Sequence, residues 1–489
     1  MPIKTSDQPF TTRLKESEAD KFMQRAVAKA QDAQWDKRTA SREDLGNWPE
    51  WRELGEQIRQ HVIRYLPDYL ERFGDNVEAR GGHVFFLPAP MKKPRLIFKK
   101  IAVDLDAHHI VKSKSVVTTE IDLDQKLLEL PDRTLLESDL AEFILQEDDF
   151  DEPTHIVFPT LHKNRDQIQT IFEKIGYTGS NDPQEMARFA RKYLRASFLE
   201  ADMGITGCNF AVAENGLINL VTNEGNADLV MAIPKTQVVV MGMERLVPTM
   251  QEAAVLDTML ARSAVGQRMT SYATFCGPAM PDEIDGPENF YVVILDNGRS
   301  NALGGQFEQV LQCIRCGACL NVCPVYRHIG GHGYGSIYPG PIGAVLSPVL
   351  RGYEQFGDLP FASSLCGACS ETCPVKILLH ELLIKHRAVM NDRLKLDHSF
   401  NNTVMHGIGM ATGTPPMFRM ALDVDHAMSG AMVKHDAPTV ENFSNHNGYF
   451  IHAPGMAKGW TDSRDLPRPP KHKENFRSWF KHHQEASHD

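Results

Sequence analysis

At 489 residues the chain is long enough for more than one hydrophobic core, and its 42% hydrophobic and 24% charged residues are ordinary for a soluble globular protein. A net charge of -11 excludes a nucleic-acid binder of the usual basic kind and points to protein partners or small substrates. The opening MPIKTSDQPFTTRL has no apolar core behind its charges, so no secretory signal is expected. No run nears the ~18 apolar residues of a membrane span; the best, TQVVVMGM, is strand-sized.

In chain order, residues 1–72 read as helices. EADKFMQRAVAKAQDAQW is Ala-rich with helical spacing, and the segment that follows carries Trp51, Leu54, Ile58, Val62 and Tyr65 on one stripe. Residues 73–298 switch to short apolar runs, HVFFL, THIVFPT, GLINLVT, QVVVMG and FYVVILD, with the helical PQEMARFARKYLRASFLEA between them. That alternation predicts an α/β domain. Residues 299–400 hold two cysteine-rich runs around a Gly/Pro-rich insert, and residues 401–489 are Met-rich, then polar, ending in an irregular tail.

Within the middle region, Gly204, Gly207, Gly216 and Gly225 alternate with Glu214, Asn215, Asn223, Glu224 and Asn226. Such loops at strand ends serve either as tight turns, the favoured reading, or as a holder for a small polar ligand. His108 and His109 with Lys112 and Lys114 suggest an anion site, with a solvated helix start as the plainer reading. The dinucleotide fingerprint G-x-G-x-x-G is absent.

The chemistry is concentrated further on. Seven of nine cysteines fall between Cys313 and Cys373, at two-residue gaps that suit thiolate ligands in a reducing cytoplasm rather than a disulfide scaffold. Cys208 and Cys276 stand apart and read as plain buried thiols. CIRCGACLNVCP, with Cys313, Cys316, Cys319 and Cys323 before Pro324, has the C-x2-C-x2-C-x3-C-P spacing of bacterial two-cluster ferredoxins. Gly317 suits a tight wrap at positive φ, and Pro324 and Pro374 each sit where a helix can start.

The second run, SSLCGACSETCP, supplies Cys366, Cys369 and Cys373 but has Ser363 where the first has Cys313. In the ferredoxin arrangement the fourth cysteine of each run serves the other cluster. One iron–sulfur cluster is then held by Cys313, Cys316, Cys319 and Cys373. The second has three thiolates, Cys323, Cys366 and Cys369, with Ser363 in register at its fourth corner. Structural zinc is the rival reading, but it prefers separated pairs of ligands.

The order of parts resembles the lactate utilization protein B family, the iron–sulfur subunits of a bacterial L-lactate oxidation system. The resemblance is carried by HHIVKSKSVVTTEI (108–121), EADMGITGCNFAVAENGLINLVTNEGN (200–226), CIRCGACLNVCPVY (313–326), YGSIYPGPIGAVLSP (334–348), LCGACSETCPVKI (365–377) and GWTDSRDLP (459–467). It implies an α/β fold in which N-terminal helices precede a domain similar to sugar-phosphate isomerases and CoA transferases. An α-helical ferredoxin-like domain with two iron–sulfur clusters, held by the same seven cysteines, then follows. It also implies a cytoplasmic subunit of an L-lactate dehydrogenase complex, with two sister subunits and an electron acceptor as partners and any membrane contact made peripherally through them.

Clusters move one electron at a time and serve better as a wire than as first acceptor of a two-electron oxidation. Three other readings stay open: an iron–sulfur subunit for glycolate or glycerol 3-phosphate oxidation, an isomerase-like or transferase-like enzyme using Glu214 and Glu224, and a cluster-based sensor or assembly protein.

Overall fold

The computed structural model describes residues 3–89, 96–280, 285–395 and 400–433, together with Glu283 and shorter stretches between 449 and 483. They fall into two compact units, Met1–Arg393 and Leu394–Asp489. The four segments read from the sequence thus meet a two-unit structure.

The first unit opens with helices α1 (Phe10–Ala19), α2 (Lys21–Leu45), α3 (Trp48–Arg64) and α4 (Leu66–Ala79), the last running past residue 72. Asp20 caps α2 by accepting the Met23 N–H, and Pro49 and Pro67 stand in the first turns of α3 and α4. The apolar stripe expected on α3 is corrected here. Leu54 and Tyr65 are each 42% exposed, and the buried face is Gly55, Ile58, Arg59, Val62 and Ile63. The helix turns this way because the Arg59 guanidinium is drawn inward by the carbonyls of Gln312, Leu246, Glu244 and Leu311, a pull that hydropathy cannot register.

Among the described residues ten strands follow: β1 (His83–Leu87), β2 (His109–Lys112), β3 (Thr134–Glu137), β4 (Met203–Thr206), β5 (Phe210–Val212), β6 (Leu217–Thr222), β7 (Thr236–Gly242), β8 (Leu246–Val247), β9 (Tyr272–Cys276) and β10 (Asn289–Leu295). Six make an all-parallel sheet in the order β1-β10-β7-β4-β2-β3. All seven residues of β7 are buried, as a continuous apolar run covered on both faces should be. The other four make a smaller sheet, β8-β5-β6-β9, around the β5–β6 hairpin.

The runs HVFFL, GLINLVT, QVVVMG and FYVVILD lie on β1, β6, β7 and β10, and Pro183–Glu200 is a helix. THIVFPT does not form the expected strand. Residues 154–160 are irregular because the imidazole of His155 takes the N–H groups of Val157 and Phe158 that a ladder would need.

After β10 the chain becomes short helical pieces, among them Pro324–Ile329, Gly340–Arg351 and Leu379–Ala388. Pro324 starts a helix as expected; Pro374 does not, lying in a turn before Leu379. One core joins Met23, Val27 and Ile58 of the N-terminal helices to Leu320, Ile342 and Val345 of the cysteine segment.

The second unit contains helices Phe400–Thr412 and Pro415–Ser429 and an antiparallel pair, Tyr449–Phe450 with Leu466–Pro467. Most of the predicted irregular tail lies outside the described residues. No helix among the described residues is long and apolar enough to cross a membrane.

Candidate iron–sulfur centres and the adjoining cavity

The two cysteine runs are shaped by local turns. Gly317 has φ +71°, the left-handed conformation expected for wrapping a compact group. The N–H of Arg315 points at the Cys313 sulfur and that of Tyr326 at the Cys323 sulfur, each at 3.4 Å. Cys316, Cys319, Cys323, Cys369 and Cys373 are buried, whereas Cys366 is exposed. A small cavity is walled by Cys313, Cys316, Cys319 and Cys373 with apolar cover from Ile156 and Ile342.

The thiols perturb one another in a pattern. Burial, then Cys313, pushes the Cys316 thiol up to about 11; burial, then Cys316 and Cys313, pushes Cys373 up to about 12. Burial, then Cys323 and Cys366, takes Cys369 up to about 11, and Cys323 is raised by burial and by Cys366. Cys319 feels burial, then both groups. Crowded buried thiols repel one another as thiolates, and a positively charged metal core removes that cost, so the donor set suits an iron–sulfur group.

Arginines surround the first run. Arg38 and Arg42 of α2 lie near Cys316, and Arg59, Arg245 and Arg315 near Cys313. Burial, then a neighbouring guanidinium, holds Arg42 and Arg59 down to about 10. Glu244 and Glu120 answer part of this charge. Burial alone would raise the Glu244 carboxyl, but Arg299, then Arg245 and Arg315, bring it to about 2. Arg299 bonds Glu120 and also Glu244, the latter through Nε at 2.6 Å, and the Tyr338 hydroxyl bonds Glu120.

The irregular loop after Pro153 docks on the same run. His155 is held far below the usual imidazole range, at about 3, by burial, so it is neutral. With Nδ1 accepting backbone N–H groups, Nε2 carries the proton and donates to Asn321 Oδ1 at 3.2 Å. Thr154 takes the Tyr326 hydroxyl at 2.7 Å and the Gly331 N–H at 2.9 Å. A Cβ on Gly331 would stand 1.9 Å from the Thr154 carbonyl, so only glycine admits this approach.

Between the sheet and the first cysteine run lies a cavity of about 930 Å³. It opens where parallel strands end. Ser113, Lys114 and Ser115 follow β2, Asp139 follows β3, and Gly207, Cys208 and Asn209 follow β4; Arg245, Arg315 and Cys316 face them. Crevices at the carboxyl ends of such strands are the usual ligand sites of parallel sheets.

Comparison with known proteins agrees with these two halves. A model of the LUD domain matches residues 70–295, and one of the 4Fe-4S dicluster domain matches residues 309–377. Lactate utilization protein B of Bacillus pumilus is 52% identical over 485 residues, covering 99% of each chain. Those of Geobacillus kaustophilus and Shouchella clausii are 51% identical, covering 99% of each chain, and 50% identical, covering 100% of each. The chain belongs to the lactate utilization protein B family. A solved structure of a family DUF162 protein from Deinococcus radiodurans is 15% identical and covers 47% of this chain and 98% of that one, at a TM-score of 0.26, too loose for a comparison of folds.

In this family member the sequence-predicted residues are distributed unevenly. His109 opens β2 and Lys112 closes it, with His108 just before and Lys114 just beyond, and the helix of this segment starts only at Val116. Lys112 is buried, paired with Glu137 and with Asp124 at 3.4 Å. Glu214 accepts the Met250 N–H and lines a cleft with Asp68 and Arg72, whereas Glu224 accepts the Leu140 N–H and lines the large cavity, so the two do not make a catalytic pair.

Gly216 and Gly225 are left-handed turn residues. A Cβ on Gly204 would meet the Val230 carbonyl at 2.1 Å. Asn215 takes the Leu217 N–H as turn chemistry, while Gly207, Asn223 and Asn226 line the cavity. Cys208 and Cys276 are half-buried, the latter with its sulfur 3.1 Å from Met231 Sδ and its thiol pushed by burial up to about 12. Ser363 accepts the Leu365 N–H at 3.1 Å.

Sequence reasoning missed Glu120, His155, Glu244, Arg245 and Arg299. The one signal available was MERL, a charged pair directly after the apolar QVVVMG.

Proposed function

We propose that this chain is the iron–sulfur electron-transfer subunit of a multi-subunit system that oxidises L-lactate to pyruvate and allows growth on L-lactate. What carries the reading is the combination, along nearly the whole length shared with lactate utilization protein B relatives, of a LUD domain with a 4Fe-4S dicluster domain.

Lactate oxidation releases two electrons and two protons. Clusters supply one-electron relay, so a two-electron acceptor on a sister subunit takes the pair and this chain passes electrons on singly to an electron acceptor. The chain binds two clusters, [4Fe-4S] in type: Cys313, Cys316, Cys319 and Cys373 hold one, and Cys323, Cys366 and Cys369 the other. The mutual perturbation of the thiols supports this crossed grouping.

The second cluster has an exchangeable fourth corner at Ser363, whose hydroxyl must lose its proton to ligate well. Ser363→Cys is expected to bind iron there and lower turnover, and Ser363→Ala to be tolerated. Unchanged turnover in Ser363→Cys, with spectra proving the new thiolate on iron, rejects the open corner.

The deciding experiment is a clean deletion in a strain with no other lactate dehydrogenase. Loss of growth on L-lactate is expected; growth at the wild-type rate rejects the reading.

A further inference from the structure

A buried charge network stands behind the end of the large cavity that Arg245 and Arg315 line. Three guanidiniums, Arg245, Arg299 and Arg315, face two carboxylates, Glu120 and Glu244. Arg299 engages both oxygens of Glu120 and one of Glu244, leaving the other oxygen of Glu244 for the remaining two arginines, at 4.0 Å from Arg245 Nε and 3.4 Å from Arg315 Nη2.

Arg245 is only 6% exposed, and its Nε has no hydrogen-bond partner. Nε and Nη1 of Arg315 are buried and unpartnered as well. A buried cation with unmade hydrogen bonds is costly, and both side chains line the cavity. A guanidinium fork matches a carboxylate in plane and spacing, and Lys114, 3.7 Å from Asp139, adds a third cation to the wall. Ser113, Ser115 and Asn209 offer donors and acceptors for a hydroxyl beside it.

We propose that Arg245 and Arg315 hold the carboxylate of a small 2-hydroxy acid in this cavity, next to Cys316. The carboxylate class rests on the two guanidiniums; the 2-hydroxy acid rests on the function proposed above. The acid occupies the charged end, and the rest of the cavity, walled by Val157, Leu220 and Val265, is apolar space beyond it.

The test is calorimetric titration of anaerobically purified, iron-loaded full chain with L-lactate, pyruvate, propionate and inorganic phosphate. L-Lactate and pyruvate should bind one per chain, propionate more weakly for want of the oxygen on its second carbon, and phosphate weakest. Arg245→Met should weaken L-lactate at least tenfold with iron content and paramagnetic resonance of the clusters unchanged, and Arg245→Lys should recover part of the loss. If Arg245→Met also loses iron, Lys114→Met decides, since that residue is half-exposed and outside the buried network: weaker L-lactate supports the site, and unchanged affinity overturns it.

Phosphate binding as tightly as L-lactate, or no carboxylate binding at millimolar concentration, overturns the proposal even if deletion abolishes growth on lactate. Conversely, carboxylate binding by a chain whose deletion leaves growth intact keeps the site and removes the proposed function.

Discussion

Arg299 and Glu120 are fully buried and share two hydrogen bonds, Nη2 to Oε1 at 2.6 Å and Nη1 to Oε2 at 3.0 Å. The pair sits where the sheet meets the cysteine segment, since Glu120 also takes the hydroxyl of Tyr338 and Arg299 also holds Glu244. Removing the arginine leaves two carboxylates buried without their main partner. Arg299→Met should cost about 3–5 kcal/mol of stability, and adding Glu120→Gln should return part of it, because a neutral amide tolerates burial better. Denaturant unfolding of the single and double variants checks this; a loss under about 1 kcal/mol for the single change would refute it.

Crossed ligation makes a prediction that sequence distance does not. Cys373→Ala should damage the cluster of Cys313, Cys316 and Cys319, whose cavity it walls, and spare that of Cys366. Paramagnetic resonance with iron counting on anaerobic protein distinguishes the two; loss confined to the Cys366 cluster counts against the pairing.

Tyr334 is fully buried beside Cys323, and its hydroxyl, without a hydrogen-bond partner among the described residues, is free to donate to that sulfur. An O–H donated to a thiolate stabilises the more negative, reduced state. Tyr334→Phe should therefore lower the potential of the Cys323 cluster by about 20–60 mV, one hydrogen bond of about 0.5–1.5 kcal/mol in a one-electron couple. Potentiometric titration reads this directly, and an unchanged potential would show that the hydroxyl does not serve the sulfur.

His386 supplies a stability term that depends on pH. Its ring stacks on Phe307 at 3.9 Å, accepts the Tyr353 hydroxyl at 2.8 Å and donates to the Val345 carbonyl at 3.0 Å. Burial holds it down to about 4, against 6.5 ordinarily. Between those values the unfolded chain binds a proton that the folded ring refuses, so stability present above pH 6.5 is lost as the pH falls toward 4. From pH 7 to 5 the loss should be on the order of 1–2 kcal/mol. His386→Gln should be less stable at pH 7 and lose less on acidification, as paired unfolding curves will show; parallel losses in both proteins would exclude His386 as the source.

What the sequence determined by itself is what short-range geometry dictates. The 4Fe-4S dicluster segment and the turn at Gly317 were legible because cysteines at gaps of two or three residues mark such a segment whatever the rest of the chain does. β7 and β10 were legible because a nearly continuous apolar run covered on both faces has few other solutions.

The tertiary structure alone decided which charges lie inside. Arg38 reaches Thr372 across 334 positions, Arg59 reaches Leu311 across 252, and Arg299 reaches Glu120 across 179. For a charged side chain, burial is favourable only when its partners arrive, so a local reading puts each of these arginines at the surface and sets the exposed face of α3 wrong. His155 was hidden for the same reason: its loop looks like a strand until its imidazole takes its own backbone N–H groups and Asn321, 166 positions away, takes the remaining ring proton. Because the cavity is walled by side chains from strand ends and from the first cysteine run, it exists only once those distant pairings have formed.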